Sequence, residues 1–254
     1  MKSDGSKKTI QREKLVQYVN EYLKVDEIKD HGPQGLQVEG REEVGRIVTG
    51  VSASLQLFEE AVNLGADLVM VHHGIFWDRD SRVVKGTLKK RLKTLLSNEI
   101  TLCAYHLPLD KHPELGNNAL AAKGLKFEHV QELGDVAIQG TISPLAFAEL
   151  LNKVQEFFQF DPLVFPFGPE RIQRVGYCSG GAEKDILLAI DAGLDAYITG
   201  EASEATMHLA KEGNIHFFAA GHYATERLGI QALGEHIVKK FSIEVHFLDI
   251  PNPV

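Results

Sequence analysis

Two histidines, His72 and His73, stand side by side in VMVHHGIFWD (70–79), after an apolar run and before a glycine. Further along, YHLPLD sets His106 four residues before Asp110, GHYATE sets His222 four before Glu226, and Glu201 follows a glycine in YITGEA. Imidazole and carboxylate together suit Zn, Mn, Fe, Co or Ni, and the absence of cysteine from the set disfavours a closed structural zinc site. Two cations sharing such ligands need a bridging carboxylate. A pair of that kind deprotonates a water and steadies a phosphoryl or carbonyl oxygen.

Taken one at a time, these residues have ordinary structural explanations. Neighbours on a regular strand point to opposite faces, so His72 and His73 converge only where the strand ends, and Gly74 is read as the residue whose backbone freedom re-aims the chain. His106-Leu-Pro-Leu-Asp110 fits a proline-shaped turn; GHYATE fits a helix start with Thr225 as cap and Glu226 drawn to the positive helix end. Recurrence lifts them above that level. AVNLGADLVMVHHG (61–74) and AIDAGLDAYITGEA (189–202) share one scheme, which sets Ala61, Gly65 and Asp67 on Ala189, Gly193 and Asp195, and His73 opposite Glu201. TLCAYHLPLD (101–110) then matches FFAAGHYATE (217–226), with His106 opposite His222 and Asp110 opposite Glu226. The interval between the matched blocks differs by about a dozen residues, which an insertion around WDRDSRVVKGT supplies. A turn or a cap has no reason to copy its histidine, so the matched strand ends are read as one metal site drawn from two related halves.

The elements that must position these residues alternate short apolar runs with helical periodicity, the pattern of βαβ units and a largely parallel sheet. An opening helix repeats Leu15, Val16, Val19, Tyr22 and Leu23 on one face. RIVTGV reads as a strand, SLQLFEEAVNLG as a helix ending at a glycine, DLVMVH as a strand, TLKKRLKTLLSN as a helix and ITLCAYH as a strand. SPLAFAELLNKVQEFF reads as a helix with Ser143 as N-cap and Pro144 in its first turn, and GNN (116–118) as a helix start capped by asparagine. In open α/β sheets ligands sit beyond the carboxyl ends of the strands, where all four matched blocks carry their polar residues. Gly180 and Gly181 in YCSGGAE fall short of a dinucleotide fingerprint and read as a tight turn. Trp77, the sole tryptophan, lies just past the histidine pair and reads mainly as packing, with stacking on a base as the other role open to it. His112, His129, His208, His216, His236 and His246 have no partner at useful spacing.

With 254 residues and 44% of them hydrophobic, the chain can bury one large core or two modest ones. A formal charge of −8 argues against a phosphate-tracking surface, so nucleic acid is not an expected partner. MKSDGSKKTIQREKL has no apolar leader and no stretch is long enough to span a bilayer, so no membrane association and a cytoplasmic location are expected. The two cysteines, Cys103 and Cys178, sit in strand-like runs as reduced, buried thiols.

The segments PQGLQVEG (33–40), VHHGIFW (71–77), YHLPLDKHPELGNN (105–118), YITGEASE (197–204), AAGHYATERLG (219–229) and DIPNPV (249–254) resemble the YbgI-type members of the Ngg-interacting-factor-like family of dinuclear metal proteins. Members are often named type 2 GTP cyclohydrolase homologues. The resemblance covers nearly the whole chain and implies an α/β fold of two similar, intertwined domains, taken as 1–126 with 243–254 and 127–242. It also implies a toroidal homohexamer with metal pairs facing the inner cavity, in the short form that lacks the family's mid-chain inserted domain. Carried over by motif, His73 and Asp110 bind one divalent cation, His72 and His222 the other, and Glu226 bridges them. His106 and Glu201 lie beside the metals, orienting ligands or facing substrate. One departure is visible: where relatives often have asparagine before GLQV, this chain has Gln34.

Two functions follow as expectations. One is a metal-dependent hydrolase acting on a nucleotide-like or other small molecule, with a metal-activated water as nucleophile and His106 or Glu201 as proton carrier; the family naming offers ring opening of GTP. The other is a non-catalytic metal-binding ring or protein-interaction scaffold.

Overall fold

A computed structural model describes residues 8–254; the reading of the first seven residues as lacking an apolar leader lies outside them. In chain order the elements begin with β1 (Ile10–Gln11), α1 (Arg12–Leu23), β2 (Gly35–Val38), β3 (Glu43–Val44), β4 (Arg46–Ser52), α2 (Leu55–Asn63), β5 (Leu68–His73), α3 (Gly86–Ser97) and β6 (Thr101–Ala104). There follow α4 (Leu107–Lys111), α5 (Asn117–Gly124), β7 (Glu128–Leu133), β8 (Ala137–Ala146), α6 (Phe147–Phe158), β9 (Leu163–Pro166) and β10 (Arg171–Tyr177). The chain closes with α7 (Ile186–Asp191), β11 (Ala196–Thr199), α8 (Glu204–Glu212), β12 (His216–Ala219), α9 (His222–Phe241) and β13 (Glu244–Phe247). This is a mixed α/β fold in two compact units.

The first unit runs to Leu109 and takes in Ile230–Ile250. Its five-stranded sheet has the order β13-β4-β5-β6-β2, parallel except for β2. A central parallel strand is covered on both faces and so needs an unbroken apolar run. β5 supplies one: Leu68, Val69, Met70 and Val71 are fully buried, and so is His72 at its end. On one face α2 sets Leu57, Phe58 and Ala61 against Val48, Val69, Val71 and Leu102. Ser54 starts α2, its hydroxyl accepting from the Leu57 amide at 3.1 Å. α1 buries Leu15, Val19 and Leu23, while Val16 and Tyr22 stay half-buried.

The second unit comprises Asp110–Gly229 with Pro251–Val254. Its six-stranded sheet has the order β7-β8-β10-β11-β12-β9, with β10, β11 and β12 parallel. α5 belongs here because Ala121 and Leu125 pack with Ile142, Val154 and Val175; the sequence partition at 126/127 set that helix in the other half. The C-terminal residues are tied in by the Tyr223 amide, which donates to the Val254 carbonyl. Ser143 and Pro144 do not open a helix: β8 pairs with β10 as far as Ala146, and α6 starts at Phe147. The Glu149 carboxylate provides the start by accepting the Ala146 amide at 2.8 Å, which leaves nothing for Ser143 to cap.

Each unit contains the same small device. Gly65 and Gly193 both end a helix at positive φ, 64° and 65°, a conformation that glycine adopts without strain. Two residues later, Asp67 accepts the amides of Gly45 and Arg46 through one oxygen, and Asp195 those of Gln173 and Arg174. Both aspartates tie the start of their strand to the start of its parallel neighbour.

Candidate metal centre

In the first unit, the carboxyl ends of β4, β5 and β6 gather three imidazoles. His72 and His73 have ring centroids 4.6 Å apart, and the His106 ring lies 5.0 Å from His72 and 5.5 Å from His73. One nitrogen of each lies within 4.8 Å of the others, close enough to share a cation. Strand alternation is overcome because the two neighbours are tethered in opposite directions. His72 Nδ1 donates to the Tyr105 carbonyl at 2.9 Å, on the β6 side, whereas His73 Nδ1 meets the Ser52 hydroxyl at 3.0 Å, at the end of β4. His106 Nδ1 lies 2.8 Å from Asp30 Oδ1. A carbonyl or a carboxylate can only accept, so His72 and His106 carry their proton on Nδ1 and present a basic Nε2, the arrangement usual behind metal-binding imidazoles.

Asp30 is the anchor of this group. It also accepts the His31 and Leu107 amides, the latter at the start of α4. Burial alone raises its pKa, but the hydrogen bond and charge of His106, with the two amides, hold the carboxyl below the usual range. Gln34 braces the same histidine, its Oε1 accepting the His106 amide at 2.7 Å. Gly74 is not at positive φ; a side chain there would overlap the Gln37 amide group, which accepts the Ile75 N–H and donates to the Pro33 carbonyl. A side chain at position 74 would therefore displace the Gln37 amide from these two hydrogen bonds.

In the second unit, Asp110 lies in the short helix α4, and His222 and Glu226 one turn apart at the start of α9. Carboxylate oxygens of Asp110 and Glu226 come within 4.8 Å of each other. Both residues are 3% exposed. Asp110 Oδ1 is fixed by the Ser179 hydroxyl at 2.6 Å and the Asn117 amide at 2.8 Å. Asn117 in turn accepts the Gly229 amide, and Asn118 accepts that of Ser179. These asparagines are therefore network residues inside α5, not its cap; Gly116 holds that position. His222 Nδ1 lies 2.5 Å from Glu201 and Nε2 3.2 Å from Glu226. Burial pulls its pKa down, but Glu226 and then Glu201 more than reverse this and lift it to about 9. Gly180, at φ 69°, has no room for a Cβ because Glu226 Oε1 occupies that space. Thr225 sits three residues inside the helix, accepting the Gly180 amide and donating back to Gly221, so it is a brace and not a cap. The acidic field reaches further: the Cys178 thiol is pushed well above its ordinary pKa, by burial first and then by Asp110, Asp185 and Glu226.

The three imidazoles of the first unit form a cluster that could hold a divalent metal, and in the second unit Glu226 approaches both Asp110 and His222. Among the described residues no cysteine falls in these groups. Asp30, Ser52, Asn117 and Ser179 are missed by sequence reasoning. Ser179 lies next to the noticed Gly180–Gly181 pair, and Asn117 was noticed as a cap, but Asp30 and Ser52 carry no spacing signal. Of the six histidines set aside, His216 meets the Pro169 carbonyl and His236 meets Tyr18. Among the described residues no helix is long and apolar enough to cross a membrane.

The architecture and the clusters together define a mixed α/β protein with histidine and carboxylate groups fit for metal. Residues 10–253 match the family model Duf34/NIF3 (NGG1p interacting factor 3), and the chain belongs to that family. A GTP cyclohydrolase 1 type 2 homolog of Escherichia coli is 49% identical over 241 residues, 94% of this chain and 98% of its own. A protein of the same name from Haemophilus influenzae is 46% identical over 245 residues, 94% of this chain and 98% of its own. The solved structure of ybgI, a protein described as of unknown function, superposes with a TM-score of 0.94 at 48% identity, over 96% of this chain and 100% of that one.

Proposed function

We propose that the chain holds a dinuclear divalent-metal centre and is a hydrolase acting on a nucleotide-like or other small molecule. His72, His73, Asp110, His222 and Glu226 would hold the two cations. The observation that carries the reading is the tethering of His72 and His73 through Nδ1, which leaves their Nε2 edges oriented for coordination. Zn, Mn, Fe, Co and Ni all suit such ligands. When bound, the pair supplies an acidified water and an electrophilic clamp on the substrate. The chain's own groups do the rest. Glu201 orients His222 and exchanges a proton at Nδ1, and Asp30 does the same for His106.

The shared Gly-x-Asp device supports an internal duplication of one α/β unit. A cytoplasmic homohexamer follows from the family resemblance, and native mass spectrometry tests it against six copies of a 28.1 kDa chain. Catalysis is tested by screening metal-loaded protein against nucleotides and phosphoesters. Wild type should turn over at least one of them, and Asp110→Asn and Glu226→Gln should lose both metal and turnover. Metal loss with no turnover by wild type anywhere in the screen would leave a non-catalytic metal-binding ring as the better reading.

A further inference from the structure

The segment 74–85 joins β5 to α3, whereas the connection from β11 to α8 in the second unit needs only 200–203. The fold does not require the extra chain, and long connections in compact domains are where binding sites are commonly built. Together with Pro33 and the start of α3 it encloses a cavity of about 590 Å³. Small-molecule sites run from roughly 300 to 1,000 Å³. Phe76, Trp77, Val83 and Val84 form an apolar wall, and the two valines are 62% and 53% exposed, surface that a ligand would cover. Arg82, Lys85 and Arg91 face Asp78 and Asp80 around the same space, an excess of one positive charge. Trp77 joins this cavity to the imidazole cluster: its ring meets His106 edge-on at 5.1 Å and lies 6.2 Å from His73.

We propose that this cavity binds a planar heteroaromatic ring carrying one small anionic group, with the ring on Trp77 and the anion on Arg82, Lys85 and Arg91. Trp77 then presents the ring to His73 and His106. The inference rests on the hydrolase reading for its chemistry but not for the binding itself. A single excess positive charge matches a phosphate monoester better than a triphosphate, whose added charge would meet Asp78 and Asp80. A ring of this kind gains by stacking, and the anion gains by charge-assisted hydrogen bonds.

Because Trp77 is the only tryptophan, its fluorescence reports on this cavity directly. The full chain is titrated with GMP, AMP and UMP, with the matching nucleosides, with GTP and with ribose 5-phosphate. At least one nucleoside monophosphate should give a saturable change, and its nucleoside, ribose 5-phosphate and, for GMP, the triphosphate should each bind about tenfold more weakly or worse. Arg82→Ala, at an exposed position, and Arg91→Ala, at a half-buried one, should weaken the monophosphate by about tenfold and leave the nucleoside unchanged. Trp77→Phe, followed by calorimetry, should weaken monophosphate and nucleoside alike. No saturable change with any of the monophosphates, or equal affinity with and without the anion, overturns the inference. Metal content measured on the same preparations separates the two readings. Metal without ring binding sinks this inference alone, while ring binding without metal sinks the hydrolase reading alone.

Discussion

Ser179→Ala is the sharpest probe of how the second unit holds Asp110. The serine hydroxyl donates to Asp110 Oδ1 at 2.6 Å. Asp110 is 3% exposed, so water does not replace the lost donor. A hydrogen bond to a charged group contributes about 1.5–3 kcal/mol, and the substitution should destabilise metal-free protein by that order. At about 2–4 °C per kcal/mol for a chain of this size, the melting temperature should fall by roughly 3–12 °C. Loss of the longer Ser179 contact to Asn118 adds a smaller, neutral part. A double-mutant cycle with Asp110→Asn isolates the charged part, because in the neutral background the same hydroxyl is worth only about 1 kcal/mol. Urea unfolding in the presence of a chelator should give a coupling energy of about 1 kcal/mol or more. In parallel, competition with a chelating dye should show metal affinity reduced by roughly tenfold or more, since Asp110 loses a group that aims it. Additive substitutions, within about 0.3–0.5 kcal/mol, together with unchanged metal affinity would refute the role given to this network.

Other outcomes follow from the same structure. Gly180→Ala forces a methyl onto Glu226 Oε1 at a backbone position of φ 69°, and should cost about 1–3 kcal/mol by urea unfolding; a neutral effect would show that Glu226 is not held there. Metal-depleted protein reloaded with a divalent ion at about a hundred times its Kd should gain about 2.7 kcal/mol, read as a raised melting temperature, and indifference to every ion in the Mn-to-Zn series would count against the centre. Cys103, whose thiol burial pushes up to about 12, should label with a maleimide only as the protein unfolds, and fast labelling of native protein would contradict that burial. Asp185 has its pKa raised, by burial first and then by Glu183 and Asp135. Its contribution to stability is therefore complete below its ordinary value of 3.8 and is lost as pH rises through the raised one. Asp185→Asn should then raise the urea midpoint at about pH 7 but not at about pH 3, and an equal shift at both would refute it.

Much of this fold was legible because burial leaves a periodic trace. β5 reads as a buried strand from its apolar run, and α2 as a helix that ends at Gly65. The start of α6 was not legible: Ser143 and Pro144 look like a cap and a first turn, but pairing with β10 extends β8 through them. Sequence spacing drew attention to His106 and Asp110 but could not show what holds each. Asp30 reaches His106 across 76 residues and Ser179 reaches Asp110 across 69, contacts that only the folded sheets bring about. Gly74 suggests a re-aimed backbone in the sequence, but it is not at positive φ; its nearest neighbour is the Gln37 amide, a contact that spacing does not reveal.

The central claim is most directly tested by metal analysis of protein purified without added ions and without a histidine tag. A content of about two divalent cations per 28.1 kDa chain is expected, falling in Asp110→Asn and Glu226→Gln. A content near zero in wild type, unchanged after reloading with each ion from Mn to Zn, would contradict it.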